Sequence, residues 1–124
     1  MKQKRPVFLN LWQIRLPVTA IMSILHRISG VALFLVLPLL VITLERSLKD
    51  PAGFQSLIEC LDNLAVKVLL VILCWSLLHH LFAGARYLLL DVDVGIQRPQ
   101  ARATAWLVML LALALSVVVI GVSL

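Results

Sequence analysis

Four polar or small residues recur at helical spacing in the stretch SILHRISG, namely Ser23, His26, Arg27 and Gly30. Positions i, i+3, i+4 and i+7 share one face of an α-helix. The stretch directly precedes the apolar run VALFLVLPLLVITL. Because a charge facing lipid is costly, we expect this face to turn toward a cavity, a ligand or a partner. The alternative is that Arg27 only extends to the headgroups, while Ser23 and His26 pack against neighbouring helices.

A second candidate site surrounds His80, which shares a helical face with Ser76 and Gly84 at i−4 and i+4. A histidine inside an apolar segment can be a hydrogen-bonding residue, a proton relay or a metal ligand. The glycine one turn away removes side-chain bulk and would let a flat macrocycle lie beside the imidazole. Haem ligation is therefore one candidate role for His80. His79 points about 100° away around the helix and is the competing candidate.

The composition indicates which elements must position these residues. Of the 124 residues, 62% are hydrophobic and 14% charged, whereas about a quarter of a soluble domain is charged. The run 31–44 supplies roughly 21 Å of helix, too little for a hydrocarbon core of ~30 Å. The first helix must therefore extend back through SILHRISG. We predict one all-α transmembrane domain over 1–124, with membrane-spanning helices at about 17–44, 66–90 and 104–124.

The distribution of basic residues predicts the orientation. One side of the predicted membrane holds Lys2, Lys4, Arg5, Arg15, Arg98 and Arg102, and the other holds Arg46, Lys49 and Lys67. The positive-inside rule then places a cytoplasmic segment at 1–16, an outer loop with one short helical turn at 45–65, an inner loop at 91–103 and the C-terminus outside. Gly95 and Pro99 are the expected breakers of the inner loop. Trp12 and Trp106 are the expected anchors at the inner interface.

The sequence does not favour a soluble enzyme or a nucleic-acid-binding protein. The chain has no Gly-rich phosphate loop, CxxC motif or HExxH motif. Its net charge of +5 is better explained by anionic lipid headgroups than by nucleic acid. Cys60 and Cys74 are expected to be free thiols. Lacking the pattern of a cleaved signal peptide, the chain is predicted to be a multi-pass protein of a bacterial inner membrane.

Depth relates the two polar faces to each other. At helical rise, His80 lies roughly 15 Å from the inner end of its span, and Arg27 lies roughly 12 Å into the first span. A haem held by His80 could therefore turn its propionates toward His26 and Arg27. The arginine fork pairs well with carboxylates and stays charged.

The two motifs together resemble the cytochrome b membrane-anchor subunits of succinate dehydrogenase. They are SILHRISG and the pattern H-x-x-x-G-x-R at His80, Gly84 and Arg86, which is followed by Asp91. The front, KQKRPVFLN-LWQIRLPVTAI, is similar to the start of bacterial members, and the resemblance covers essentially the whole chain. Bacterial members often have histidine where this chain has Tyr87, which we expect to be an ordinary interfacial tyrosine.

The resemblance implies a b-type haem with His80 as one axial iron ligand, the other coming from a second small anchor subunit. It implies that Ser23 and Arg27 line a ubiquinone site, and that His26 and Arg27 lie near the haem propionates. Ile24, one position along, would pack on the quinone ring.

The function implied is that of the membrane anchor of succinate:quinone oxidoreductase. FAD and iron–sulfur clusters would be held by a flavoprotein subunit and an iron–sulfur subunit, so this chain alone should not oxidise succinate. One alternative is a quinol:fumarate reductase anchor, and another is a haem-free structural anchor. A third is a proton-conducting or transport subunit that uses His26, His80 and Arg27.

Overall fold

Four helices make up the part of the chain that the computed structural model describes, residues 14–123. They are α1 (Val18–Lys49), α2 (Pro51–Asp62), α3 (Leu64–Asp91) and α4 (Arg98–Ser123), and no strand occurs within these residues. Three segments are long and apolar enough to cross a membrane: Val18–Lys49, Leu64–Asp91 and Arg98–Val122. The predicted all-α fold with three spans is therefore confirmed. The orientation stays a prediction, and Lys2, Lys4, Arg5 and Trp12 lie outside the described residues.

Helix α1 runs through the whole SILHRISG stretch, as its length requires. It begins directly after Pro17, whose carbonyl accepts hydrogen bonds from the amides of Ala20 and Ile21 at 2.9 and 3.2 Å. At the other end the helix continues past the predicted limit of 44 to Lys49. There the Lys49 ammonium lies 2.8 Å from the Glu45 carboxylate, one turn earlier.

A 12-residue helix, α2, occupies most of the segment 45–65 that was predicted as a loop with one short helical turn. Its start is well capped, because Asp50 Oδ1 accepts a hydrogen bond from the Gly53 amide at 2.6 Å and Pro51 stands at the first helical position. Asn63 ends α2 and caps α3, accepting from the Ala65 amide at 2.9 Å. These turn-forming residues therefore delimit two helices rather than a loop.

The connection between α3 and α4 is also shorter than the predicted inner loop at 91–103. Only residues 92–97 lie outside helices, with positive φ angles at Asp93 (62°) and Gly95 (81°). Helix α4 begins at Arg98, ahead of the predicted start at 104. Pro99 falls in its first turn, where a missing amide hydrogen costs nothing, so this proline starts a helix instead of breaking one.

Helix α3 packs against both α1 and α4, and polar groups are collected in the interior. The buried apolar residues are few and mostly small: Val18, Met22, Ala83, Ala105, Val108 and Ala112. The buried polar residues are nearly as many: Ser29, Ser76, His79, Arg86 and Ser116. Large apolar side chains point outward, as Phe34 does with 74% of its surface exposed. This arrangement suits a bundle whose surroundings are lipid and partner helices.

Candidate functional site

His26 of α1 and His80 of α3 meet at the centre of the candidate site. Their rings stack with centroids 4.2 Å apart and planes 13° apart. His80 Nδ1 lies 3.1 Å from the backbone oxygen of His26 and 3.4 Å from Ser29 Oγ, which itself donates to the same oxygen at 2.9 Å. Since a carbonyl oxygen only accepts, Nδ1 carries the proton and donates. The Nε2 atom of His80 therefore keeps its lone pair, the form in which imidazole binds a metal.

Two glycines make room for this pair of rings. A Cβ at Gly30 would lie 2.8 Å from His80 Cε1, closer than atoms in contact allow. A Cβ at Gly84 would lie 3.7 Å from His26 Nε2, an ordinary contact distance. Gly30 is thus required by the close approach of His80 to α1, whereas Gly84 leaves a less restrictive space beside His26. The sequence placed both glycines one turn from a polar residue, and the structure shows that each faces the opposite helix.

The Nε2 atom of His26 is buried and makes no hydrogen bond of acceptable geometry within residues 14–123. A buried polar atom without a partner costs free energy, so this nitrogen marks a position at which a polar group would be stabilised. The Tyr87 ring lies beside it, with centroids 5.2 Å apart and planes tilted by 55°. Tyr87, predicted as an ordinary interfacial residue, contacts the candidate site directly.

His79 occupies a different environment from its neighbour His80. It is fully buried, and the Trp75 ring stacks on it with centroids 5.0 Å apart. Neither ring nitrogen makes a hydrogen bond of acceptable geometry with the described residues. Because the helices and Trp75 enclose His79, a large planar ligand would reach it only if the bundle opened. Of the two adjacent histidines, His80 is the accessible one.

Arg86 connects the site to α4, a role that sequence reasoning missed. The side chain is buried, with 7% of its surface exposed. Its Nε donates to Thr104 Oγ1 and its Nη2 to the Ala101 carbonyl oxygen, each at 2.9 Å. The guanidinium carbon lies 5.8 Å from the Tyr87 ring centroid. In the sequence, the one sign of this contact is the hydroxyl residue Thr104 near the start of α4. Hydroxyl residues are too common for Thr104 to be predicted as the partner of Arg86.

An open cleft of ≈ 520 Å³ lies next to Tyr87, between α1, the end of α3 and the start of α4. Ser23 lines it together with Arg86, Leu90 and Ile96. Ile24 and Arg27 are exposed on the surface of α1. The structure therefore joins His26 to His80, places Ser23 in a cleft with Tyr87, and leaves Ile24 and Arg27 facing the surroundings.

Comparison with known proteins decides which family the chain represents. The model of the succinate dehydrogenase/fumarate reductase transmembrane subunit family matches residues 1–119. The chain belongs to this family. Relatives named succinate dehydrogenase cytochrome b556 subunit include those of Coxiella burnetii (37% identical over 123 residues, 98% of each chain) and Rickettsia prowazekii (33% over 113 residues, 91% of this chain and 88% of the relative). That of Paracoccus denitrificans is 33% identical over 97 residues, 78% of this chain and 75% of the relative.

Membership in the succinate dehydrogenase/fumarate reductase transmembrane subunit family confirms the resemblance seen in SILHRISG and the His80 motif. It agrees with the three apolar spans and with a multi-pass location in the inner membrane. Any enzymatic activity belongs to the complex of which such a subunit is part.

Proposed function

We propose that this transmembrane subunit is the haem b-binding anchor of succinate:quinone oxidoreductase, in which it forms part of the ubiquinone-reduction site and docks the flavoprotein and iron–sulfur subunits. The proposal rests chiefly on the orientation of the His80 ring and on the nitrogen that carries its proton. Its Nδ1 is held by the His26 carbonyl oxygen and its ring fits against Gly30, so Nε2 is left to ligate a metal. The cytochrome b556 name of the relatives supports haem b as the group it ligates.

The residues present fit a haem. His80 would ligate the iron, and the partnerless Nε2 of His26 and the guanidinium of Arg27 would receive the propionates. When bound, the haem supplies one-electron transfer. The hydrogen bond from His80 Nδ1 to the His26 carbonyl oxygen fixes the orientation and tautomer of the ring, as such bonds do at metal sites. His79 does not fit, since the core and Trp75 enclose it.

A second protein ligand of the haem, which the family resemblance implies, would come from another chain. The sequence contains three histidines, and His79 is enclosed. His26 stacks on His80 with ring centroids 4.2 Å apart. Because carbon atoms in contact lie ~3.5–4.0 Å apart, a macrocycle cannot fit between these two rings. A second small anchor subunit that contributes a histidine satisfies this requirement.

At the quinone site, Ser23 and Arg27 act on oxygen atoms of the substrate. Ubiquinone accepts two electrons, which reach it from succinate through the partner subunits, and two protons from water. The Ser23 hydroxyl, at the cleft, donates a hydrogen bond to a quinone oxygen. The Arg27 cation, one turn along α1 and exposed on its surface, stabilises negative charge as it develops on that oxygen once partner chains exclude water from this face. Ile24, 44% exposed, offers an apolar surface to the quinone ring.

Replacement of the two adjacent histidines tests the haem assignment. We expect His80→Leu to abolish the b-type signal in the reduced-minus-oxidised spectrum of the purified complex, and His79→Leu to keep it. Loss of haem in His79→Leu with retention in His80→Leu would show that the ligand is wrongly assigned. A wild-type complex without a b-type signal would reject the haem function altogether.

Matched substitutions on α1 test the quinone site. We expect Ser23→Ala and Arg27→Leu to slow quinone reduction at least tenfold, the effect of losing ~1.4 kcal/mol of transition-state stabilisation, while succinate oxidation by an artificial dye continues. The controls are Ser47→Ala and Arg46→Leu, which make the same changes at the other end of α1. Normal quinone kinetics in both site variants contradict the assignment.

A further inference from the structure

A second cavity lies far along the bundle from the cleft at Ser23. It is a groove of ≈ 660 Å³ where α2 ends, α3 begins and α4 ends. Its walls are mostly apolar: Ile58 and Leu61 from α2, Leu70, Val71 and Cys74 from α3, and Ile120 from α4. Two of the three contributing helices are membrane spans. The groove therefore extends from the membrane boundary into the hydrocarbon region.

The groove carries one charge of each sign on its lining. Lys67 and Asp62 both line it, and Lys67 Nζ lies 3.3 Å from Asp62 Oδ1. The pair is accessible, since the two side chains are 36% and 79% exposed, respectively. Asp62 is the last residue of α2 and Lys67 stands in the first turn of α3, so both lie at the membrane boundary. From Lys67, the residues Leu70, Val71 and Cys74 continue the groove at helical spacing.

We propose that this groove binds a phospholipid with a primary-amine headgroup, of the phosphatidylethanolamine type. The lipid phosphate accepts from the Lys67 ammonium, and the lipid ammonium donates to the Asp62 carboxylate. One acyl chain lies along Leu70, Val71 and Cys74, because an empty groove would forfeit dispersion contacts.

The two charges select among lipids. A net-anionic phosphatidylglycerol places no cation against Asp62. A phosphatidylcholine head carries a cation but has no N–H to donate to the carboxylate. The proposal rests on the groove, its two charges and the membrane-spanning helices that form it, so it is independent of haem binding and of quinone chemistry.

Native mass spectrometry of the assembled, detergent-purified complex tests the proposal. Dioleoyl phosphatidylethanolamine, phosphatidylglycerol and phosphatidylcholine are added separately, and the bound lipids are counted. We expect the ethanolamine lipid to bind about fivefold more tightly than either of the others, the scale of one partly exposed ion pair. Asp62→Asn should remove this preference, and Lys67→Gln should weaken binding of all three lipids. Glu45→Gln and Lys49→Gln alter an exposed ion pair of α1 outside the groove and should change nothing.

A groove-filling variant and a cross-link separate lipid from protein as the occupant. Val71→Trp should reduce binding of all three lipids while Lys67 and Asp62 stay in place. A photoreactive benzoylphenylalanine at position 71 should cross-link lipid in the assembled complex. Equal binding of the three lipids with no effect of Asp62→Asn would overturn the proposal, as would a cross-link from position 71 to a partner polypeptide.

Discussion

The three histidines show how strongly position within a helix determines the chemistry of a residue. His79 and His80 are adjacent in sequence but point about 100° apart. One is enclosed in the core beside Trp75, and the other stacks on His26 at the face of α1. Helical spacing and depth predicted that His26 and His80 lie near one level. The hydrogen bond from His80 Nδ1 to a backbone oxygen was beyond sequence reasoning, because it depends on how closely α1 and α3 approach.

At the scale of a residue, Gly30 should be the most sensitive glycine of the spans. In Gly30→Ala the new methyl group forces the His80 ring to move, which breaks its hydrogen bond to the His26 carbonyl at a cost of ~0.5–1.5 kcal/mol. Alanine regains about 0.5–1 kcal/mol of helix propensity, so stability should change little while retained haem falls, as measured by the pyridine haemochrome. The control is Gly121→Ala, which meets nothing within 4 Å. Equal haem retention in the two variants would contradict this reading of Gly30.

Arg86 should contribute chiefly to stability, through its two hydrogen bonds to α4. We expect Arg86→Leu to cost ~1–3 kcal/mol, the penalty for leaving partly buried partners unpaired. The loss should fall in the lower part of this range, because Thr104 Oγ1 can still donate to the Ala101 carbonyl oxygen at 3.3 Å. Arg86→Lys should recover only part of the lost stability, since one ammonium cannot reproduce the planar guanidinium fork. Thermal denaturation of the purified complex checks this, with the exposed Arg102→Leu as control; equal melting points for Arg86→Leu and Arg102→Leu would refute it.

At the scale of an element, long apolar patterns were easy to predict and helix ends were not. The shortfall of the run 31–44 correctly extended α1 back through SILHRISG. Asp50, Pro51 and Gly53 are typical of turns and predict an outer loop with one short helical turn at 45–65, yet Asp and Pro in succession are also a cap and a first helical residue. Pro99 was likewise predicted to break the inner loop, but it lies in the first turn of α4. The same residue types occur in turns that break a helix and at the first turn of a helix. Tertiary packing determines which of the two structures forms.

The cap at Asp50 gives a prediction for α2. We expect Asp50→Ala to destabilise its first turn by ~1 kcal/mol, because the Gly53 amide loses its acceptor. Hydrogen exchange measured by mass spectrometry should show faster exchange in peptides covering the start of α2. Asp50→Asn, which keeps a capping oxygen, should exchange nearly as slowly as the wild type. Asn63→Ala should instead speed hydrogen exchange at the start of α3, because the Ala65 amide loses its acceptor. Faster exchange at the start of α2 in Asn63→Ala but not in Asp50→Ala would contradict these cap assignments.

At the scale of the whole molecule, the surface has to be covered by something other than water. Apolar side chains such as Phe34, Leu48 and Leu107 are 74%, 76% and 61% exposed, while several polar groups are inside. Lipid can cover scattered apolar residues, but it cannot pair the buried Nε2 of His26 or the lone pair that the hydrogen bond at Nδ1 leaves on His80 Nε2. The face that carries these groups is therefore expected to contact a partner chain and a cofactor, and the remaining faces are expected to contact lipid.

The orientation of the whole molecule can be tested with its own thiols. Cys60 lies exposed on α2, between the first two spans, and Cys74 is half-buried in the groove. The excess of basic residues around the N-terminus and the α3–α4 connection predicts that α2 faces outside. In intact spheroplasts, a membrane-impermeant maleimide should therefore label the wild type, and Cys60→Ser should abolish the labelling. In a Cys60→Ser background, Gln97→Cys should be labelled only after the membrane is permeabilised, because it lies in the opposite connection. Labelling of Gln97→Cys in intact spheroplasts, with Cys60 protected, would show that the chain is inserted the other way and that the cleft at Ser23 opens on the outer side.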